Sequence, residues 1–208
     1  MIRIPSKPGS YALEFTLYQP QRLNVGRLGE IYFPQGEYIY VGSALGPGGL
    51  RARLGRHLQK DTFSCHWHID YLRSYADTRS LCYLMKSAGT IHLDSSQAQD
   101  KSALGQKPVE CIWSQTLSAL PYANIPAPGF GASDCHSGCC AHLIHFPQSN
   151  TSLNNRPLIL TQASVRRLHT DATATPPASL EVEFIKFRAG GFSEVKLGEF
   201  NPSCGDII

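Results

Sequence analysis

Hydrophobic and polar positions alternate over several short stretches in the first part of the chain. Residues 10–18 alternate and are rich in aromatic and aliphatic side chains, which is typical of a strand. Residues 22–25 and 30–33 flank a glycine-bearing segment, 26–29, and this arrangement predicts a hairpin. Residues 37–42 form another short strand-like stretch. Successive short strands joined in this way predict an antiparallel sheet.

The pattern then changes from a period of two to a helical period. After a glycine-rich loop over 43–49, Leu50, Leu54 and Leu58 recur every four residues and would share one face of a helix over 50–58. Further along the chain, the pattern predicts a helix over 67–75, a strand over 80–85, a helix over 109–120 and a strand over 141–146. The helix over 109–120 has one apolar face, which would be buried: Ile112, Trp113, Thr116, Leu117 and Leu120.

These elements predict an α+β domain over residues 1–147, with a small, mostly antiparallel sheet flanked by helices. Residues 87–107 are polar and read as a loop or insertion. Residues 148–179 are predicted to be a linker-rich segment, because Ser and Asn are frequent in 148–156 and Thr, Ala and Pro in 170–179. Between these two stretches, residues 158–168 could form a helix. Residues 180–208 form a short C-terminal, hairpin-like appendage of unknown role.

Composition places the chain among soluble globular proteins. Hydrophobic residues make up 42% of the sequence, and no apolar run approaches the roughly 20 residues that span a bilayer. The first residues lack the apolar stretch of a secretory signal. We therefore expect a cytoplasmic protein without a membrane partner.

Positive charge is concentrated in one segment, although the formal net charge is only +3. Arg51, Arg53, Arg56, His57 and Lys60 occur together without an acidic residue between them. Such a cluster is expected of a nucleic-acid-binding face, and the alternative interpretation is a solvated helix surface. We therefore assign nucleic-acid contacts to Arg51, Arg56 and Lys60.

The chain has seven cysteines, which is an odd number, and it shows no signal peptide, so we expect most of the cysteines to be reduced. A group of thiols and imidazoles lies near the end of the main domain, and it could bind Zn²⁺ tetrahedrally: Cys135, Cys139, Cys140, His142 and His145. The alternative is a set of reduced, partly buried cysteines.

Five motifs in a fixed order carry a resemblance to a known family. They are Gly9-Ser10-Tyr11, the run from Tyr40-Val41-Gly42 to Arg53 and His57, His66-Trp67-His68-Ile69-Asp70-Tyr71-Leu72, Glu110-Cys111, and the run from Gly129-Phe130-Gly131 to Cys135. In this order they resemble the GIY-YIG nuclease superfamily. The similarity is closer to its Uri-type branch, a domain sometimes fused to endonuclease III, and it covers about residues 9 to 146.

The resemblance implies a metal-dependent endonuclease that hydrolyses phosphodiester bonds in DNA, with a connection to DNA repair. Tyr40 or Tyr11 would be the general base, and we favour Tyr40 because it directly precedes the loop that leads to Arg53. His57, one helical turn after Arg53, would relay the proton or orient the tyrosine. His66 matches a variable aromatic or histidine position of the family, and His68 is its nearest rival.

The chemistry agrees with these roles. Hydrolysis needs an activated water and a cation on the phosphate oxygens. The guanidinium of Arg53 matches a phosphate, and the carboxylate of Glu110 would hold one Mg²⁺ or Mn²⁺ ion. Two alternatives remain open: a non-catalytic DNA- or RNA-binding module that retains the fold, and a small zinc-binding interaction protein.

The chain departs from the family pattern at three points. Ser10 stands where the family has isoleucine, and Tyr11 precedes Tyr40 by 29 positions, a wider spacing than is common. The family's late asparagine has no clear match: Asn124 lies in a proline-rich stretch, and Ser133 and Asp134 lie near the expected place.

Overall fold

The computed structural model describes residues 4–59, 65–86 and 107–147 with their side chains, and the backbone of Val182–Arg188 and Gly191–Glu194. Predictions for Lys60, for the insertion over 87–106 and for the linker-rich segment 148–179 lie outside the described residues. Within the part of the chain that is described, no helix is both long enough and apolar enough to cross a bilayer.

Eight strands and three α-helices make up the described structure. In chain order they are β1 (Gly9–Leu17), β2 (Gln21–Asn24), β3 (Glu30–Phe33), β4 (Gly36–Ala44), α1 (Gly49–Leu58), α2 (His68–Arg73), β5 (Asp77–Met85), α3 (Val109–Ser118), β6 (Leu143–Phe146), β7 (Val182–Arg188) and β8 (Gly191–Glu194). Six strands form one sheet in the order β6-β4-β1-β5-β7-β8, and every neighbouring pair is antiparallel. The prediction of an α+β fold with a mostly antiparallel sheet is confirmed.

Alternation along the central strand β1 separates two hydrophobic clusters. Tyr11, Leu13 and Phe15 point to one face, where they pack with Leu50 and Leu54 of α1. Ala12 points to the opposite face. There, Ile39 and Val41 of β4 join Ala12 against Trp113 and Leu117 of α3. Helix α1 and helix α3 therefore lie on opposite faces of the sheet, because successive side chains of a strand alternate.

The β2–β3 hairpin forms as its sequence predicts. The two strands pair in register from Gln21 with Phe33 to Asn24 with Glu30, and a turn of 3₁₀-helix over Gly26–Leu28 joins them. Val25 and Phe33 are buried in the same cluster as α1. The hairpin therefore covers part of the α1 face of the sheet.

The N-terminus of α1 is closed by the segment that precedes β1. The backbone N–H of Leu50 donates to the carbonyl of Lys7 over 3.0 Å, and that of Arg51 donates to Pro5 over 2.9 Å. A Cβ on Gly49, whose φ is +54°, would lie 2.3 Å from the carbonyl oxygen of Lys7. Only glycine allows this close approach, which fixes the start of α1 beside β1.

Strand β5 and helix α3 differ in detail from the sequence-based expectation. β5 begins at Asp77 rather than at residue 80. In α3, the buried positions are Cys111, Trp113, Ser114 and Leu117, so Ile112, Thr116 and Leu120 are less buried than predicted. The hydroxyl of Ser114 donates to the carbonyl of Ala141 over 2.6 Å, and this bond allows a polar residue to face inward.

The C-terminal hairpin extends the main sheet. β7 pairs with β5 from Ser80 with Lys186 to Leu84 with Val182, and β8 pairs with β7. Arg188 at the end of β7 pairs with Gly191 at the start of β8, which agrees with the hairpin that the sequence predicts here. The strands predicted as an appendage therefore continue the sheet of the main domain.

Candidate functional site

Two buried side chains on the α1 face form the centre of the candidate site. The hydroxyl of Tyr11 on β1 lies 2.7 Å from Nε2 of His57 on α1, and their ring centroids are 5.5 Å apart. Tyr11 is fully buried and His57 is 3% exposed. The Nδ1 atom of His57 is buried and makes no hydrogen bond to the described residues.

Tyr40 of β4 completes a triangle of rings with these two residues. Its ring centroid lies 6.3 Å from that of Tyr11 and 6.1 Å from that of His57. Two glycines make room for the phenols. A Cβ on Gly42 would lie 2.6 Å from the Tyr11 hydroxyl, and one on Gly131 would lie 2.7 Å from Cε2 of Tyr40. Glycine at these two positions allows both rings to lie against the backbone.

Arg53 connects this triangle to the protein surface. Its guanidinium interacts with Tyr11 through both charge and a hydrogen bond. The same guanidinium lies 4.1 Å from the ring centroid of Trp67, a cation–π geometry that fixes its orientation. Arg53 also lines a shallow pocket between the glycine-rich loop and α1, together with Ala44, Gly46, Pro47, Gly49, Ala52 and Arg56.

Burial keeps the three central groups uncharged. It raises the pKa of Tyr11 well above its ordinary value near 10, and the nearby Tyr40 adds to this effect whereas Arg53 opposes it. Burial also raises the pKa of Tyr40 to about 12. It lowers the pKa of His57 to about 3, although Asp70 opposes this shift. At neutral pH the site therefore contains two phenols, a neutral imidazole and the charge of Arg53.

Asp70 is a buried carboxylate that holds α2 against α1. It accepts hydrogen bonds from Nη2 of Arg56 at 2.8 Å and from the backbone N–H groups of His66 and Trp67 at 2.9 and 3.0 Å. Arg73 lies 3.4 Å away as a second cation, and its guanidinium also donates to the carbonyls of Arg56 and Gln59 at the end of α1. Burial opposes ionisation, but these hydrogen bonds and Arg56 lower the pKa of Asp70 below its ordinary value.

Glu110 lies on the other face of the sheet. Its Oε2 atom accepts a hydrogen bond from the hydroxyl of Ser10 over 2.8 Å. Ser10 and Tyr11 are consecutive residues of β1, so their side chains leave the sheet on opposite sides. The structure therefore brings together Tyr11, Tyr40, Arg53 and His57, but it does not place the carboxylate of Glu110 among them.

A different acidic residue acts on Tyr40. The charge of the exposed carboxylate of Asp134 adds to the burial that raises the pKa of Tyr40, and it opposes the burial that lowers the pKa values of His68 and His142. Asp134 follows Gly131 in the loop that touches the Tyr40 ring. Asp134 is therefore an accessible carboxylate among the described residues, and its charge affects the ionisation of the Tyr40 phenol.

The two histidines of the α2 region lie at the rim. His66 is exposed, and its ring packs edge-on against Trp67, 4.7 Å between centroids. His68 accepts a hydrogen bond from the backbone N–H of Gly131 over 3.0 Å and packs against Phe130. His66 therefore contacts Trp67, which in turn lies against the guanidinium of Arg53.

The predicted basic face is partly neutralised. Arg56 is paired with Asp70, and the Nε–H of Arg51 donates to the carbonyl of Ile4 over 3.0 Å. Lys60, the third predicted nucleic-acid contact, lies outside the described residues. Arg51 remains exposed and Arg56 lines the pocket, so both still contribute positive potential at this surface.

A second cluster, of sulfur and imidazole ligands, lies beside α3. Cys111, Cys135, Cys139 and His142 each offer one ligand atom, and these four atoms lie within 4.8 Å of one another. Such a group could hold a metal ion. The predicted set included Cys140 and omitted Cys111. That prediction is wrong about Cys140, which is exposed, because the donors are gathered by the packing of α3 rather than by sequence proximity. His145 is also outside the cluster, since its Nε2 contacts the carbonyl of Gln35 and its ring packs on Tyr38.

Sequence reasoning assigned no role to three residues that organise these sites: Asp70, Trp67 and Cys111. Asp70 carries one available signal, because an acidic side chain in the first turn of a helix commonly accepts from the preceding N–H groups. Trp67 and Cys111 have no comparable signal, since their partners are distant in sequence.

Comparison with known proteins gives one finding. The sequence model of a family described as "Domain of unknown function DUF123" matches residues 10–164. Neither the comparison with curated proteins nor that with solved structures gives a match. The matched region contains the complete tyrosine–histidine–arginine site and the cysteine–histidine cluster. The chain belongs to the DUF123 family of domains of unknown function.

Proposed function

We propose that the protein is an endonuclease that hydrolyses phosphodiester bonds in DNA, as its resemblance to the GIY-YIG nucleases implies. The observation that carries this proposal is the 2.7 Å contact between the Tyr11 hydroxyl and His57, with Tyr40 and Arg53 beside it. A buried phenol paired with a neutral imidazole is an arrangement suited to proton transfer. The Nδ1 of His57, which makes no hydrogen bond within the described part of the chain, adds support, because an unsatisfied buried polar atom costs about 1–3 kcal/mol and is rarely kept for packing alone.

Arg53 is the proposed phosphate clamp. It lines the pocket and also hydrogen-bonds to Tyr11, so a phosphate in the pocket would contact the residue that links the pocket to the phenols. Trp67 fixes the plane of the guanidinium, which favours paired hydrogen bonds to two phosphate oxygens.

Proton transfer would run from the attacking water through Tyr40 and Tyr11 to His57. Tyr40 is the outer phenol, at 6% exposure, and it hydrogen-bonds to Tyr11. As the water oxygen bonds to phosphorus, its proton passes to Tyr40, the Tyr40 proton to Tyr11, and the Tyr11 proton to Nε2 of His57. The bond from phosphorus to the leaving oxygen breaks, and solvent protonates that oxygen. A bound phosphate anion would favour protonated His57, which burial otherwise disfavours.

The resemblance also implies one Mg²⁺ or Mn²⁺ ion bound by Glu110. The donor set does not fit an ion shared by this carboxylate and the phenols, because Glu110 bonds to Ser10 on the α3 face. No step above is therefore routed through a divalent ion. Asp134 is the alternative carboxylate on the phenol side, and comparison of Glu110→Gln with Asp134→Asn over a Mg²⁺ and Mn²⁺ titration would separate the two residues.

The direct test is nicking of supercoiled plasmid and of branched DNA by the purified chain, with Mg²⁺ or Mn²⁺ present. We expect Arg53→Ala to lower the nicking rate about a hundredfold or more. Arg22→Ala is the matched control, since Arg22 is also an arginine over an aromatic ring, 5.2 Å from the Tyr32 centroid, on an exposed strand. No nicking of any substrate, or equal rates for the two variants, would reject the proposal.

A second candidate function is DNA or RNA binding without hydrolysis. The position of Glu110 and the complete burial of Tyr11 favour it. This alternative predicts salt-sensitive binding that weakens when Arg51, Arg53 or Arg56 is replaced and does not change in Glu110→Gln, with no nicking under any condition.

The proposal includes a cytoplasmic location. The cysteines at 65, 82, 111, 135, 139 and 140 are all free of disulfides, as expected in a reducing compartment.

A further inference from the structure

We infer that Cys111, Cys135, Cys139 and His142 bind one Zn²⁺ ion in a closed, structural site. This inference is independent of the proposed nuclease activity. It concerns a site on the α3 side of the domain, and it can be tested without any substrate.

The distances between the ligand atoms match a tetrahedral site. Sγ of Cys111 lies 3.6 Å from Sγ of Cys135 and 3.9 Å from Nε2 of His142. With Zn–S bonds of about 2.3 Å and Zn–N bonds of about 2.0 Å, tetrahedral geometry separates neighbouring ligands by about 3.5 to 3.8 Å. These two distances are close to the tetrahedral values, and all four ligand atoms lie within 4.8 Å of one another, whereas two sulfurs at 3.6 Å are much too far apart for a disulfide.

The chemistry of the donors selects zinc. Three thiolates and one imidazole are a common set in structural zinc sites, and hard cations such as Mg²⁺ prefer oxygen ligands. On binding, the thiols lose their protons to solvent and the neutral imidazole keeps its Nδ1 proton.

Nearby groups donate hydrogen bonds to two of the sulfur atoms. The backbone N–H of Ser137 donates to Sγ of Cys135 over 3.4 Å, and the side-chain amide of Gln115 donates to Sγ of Cys139 over 3.8 Å. Such hydrogen bonds stabilise metal-bound sulfur and orient it. Gln115 lies one turn after Cys111 on α3, so this helix supplies both a metal ligand and a hydrogen-bond donor to a second ligand.

The ion would connect three parts of the domain. Cys111 lies in the first turn of α3, Cys135 and Cys139 lie in the loop after Phe130, and His142 lies next to β6. The backbone of His142 bonds to Val41 and to Phe130 over 2.9 and 2.8 Å. Zinc would therefore fix the loop whose Gly131 lies against Tyr40, and it would fix the start of α3 that carries Glu110.

The first test is metal analysis and cobalt substitution of the full chain, purified under reducing conditions. We expect about one zinc per chain, and we expect Co²⁺ to give the intense visible bands of a tetrahedral thiolate site. A chain that retains no zinc after reconstitution and washing, or an octahedral cobalt spectrum, would overturn the inference.

The second test identifies the ligands. Cys111→Ser and Cys139→Ser should each weaken zinc binding at least about tenfold. Cys140→Ser is the matched control, because this exposed cysteine is adjacent to Cys139 in sequence and should leave zinc affinity unchanged. Normal zinc binding by Cys111→Ser, or its loss in Cys140→Ser, would contradict the assigned set.

Thiol alkylation of the wild-type chain tests zinc ligation without any substitution, so the result does not depend on whether a variant folds. Zinc should protect the partly exposed Cys135 and Cys139 from alkylation, and a chelator should remove that protection, whereas the exposed Cys65 and Cys140 should react in both states. Equal alkylation of Cys135 and Cys139 with and without chelator would reject zinc ligation by these residues.

Discussion

Tyr11, Tyr40 and His57 show how burial sets the chemistry of single residues. Each is at most 6% exposed, and burial penalises the charged form of each group. The sequence marks these residues as candidates because they stand in recognisable motifs. It cannot give their protonation states, since these depend on how completely β1, β4 and α1 exclude water.

The buried state of His57 predicts a pH dependence of folding stability. Folded protein keeps His57 neutral down to a pKa of about 3, whereas the unfolded chain binds a proton below about pH 6.5. Acidification therefore favours the unfolded state between about pH 6.5 and pH 3. One such proton gives a slope of about 1.4 kcal/mol per pH unit in the free energy of unfolding.

Denaturant unfolding of the wild type and of His57→Gln across pH 7 to 4.5 would measure this slope. In His57→Gln, the pH slope of the free energy of unfolding should be smaller by the contribution of about one proton. In His66→Gln, which alters an exposed histidine, the slope should stay as in the wild type. If the slopes of wild type and His57→Gln are the same, His57 is not held neutral by burial. The lowered pKa of Asp70 acts in the same direction at lower pH and is common to all three proteins.

At the scale of elements, one buried carboxylate both caps the short helix α2 and joins it to α1. Helix α2 has six residues, too few for stability on its own, and Asp70 joins it to α1 through Arg56 and Arg73. The guanidinium of Arg73 also satisfies carbonyl groups at the end of α1. Trp67, at the start of α2, then supports Arg53. The position of the candidate phosphate clamp thus depends on this ionic connection.

Replacement of Asp70 by Asn should therefore destabilise the domain. The substitution leaves Arg73, which is 7% exposed, without its counter-charge, and breaking such a buried pair costs about 3 kcal/mol. Glu30→Gln is the matched control, because it breaks the exposed Arg22–Glu30 pair and should cost less than about 1 kcal/mol. Chemical denaturation of both variants at pH 7 would check this, and equal small effects would show that the Asp70 cluster does not hold α2.

At the scale of the whole molecule, one antiparallel sheet supports two candidate sites. The tyrosine–histidine–arginine triangle lies on the α1 face, and the cysteine–histidine cluster lies beside α3. The loop around Gly131 contacts both, because it touches Tyr40 and carries Cys135 a few residues later. Strand β7 covers the outer edge of β5, so the sheet includes residues far beyond the predicted main domain.

Removal of residues 182–208 should expose the edge of β5. An unpaired edge strand offers free N–H and C=O groups to other chains, so the shortened protein should self-associate as its concentration rises. Light scattering coupled to gel filtration would detect this, with a chain that ends at residue 194 and keeps both strands as the control. A shortened chain that remains monomeric, with unchanged amide exchange in β5, would contradict a role for β7 in covering this edge.

The sequence by itself determined the local elements and the candidate chemistry. Alternation predicted β1, β3 and the β2–β3 hairpin, leucine spacing predicted α1, and motif order identified Tyr11, Tyr40, Arg53 and His57 as a group. The local elements depend on neighbours within a few positions, where periodicity and backbone preference act directly. The four site residues, by contrast, are grouped through the resemblance of their motifs to a known family.

Only the tertiary structure decided which side chains meet. The register that pairs Tyr11 with Gly42 brings the two phenols together, whereas the alternation of Ser10 and Tyr11 puts Glu110 on the opposite face. The packing of α3 brings Cys111 into the thiol cluster in place of Cys140. The physical reason is that strand pairing and helix packing join residues that are distant in sequence, and a shift of one position in a strand reverses the face that a side chain occupies.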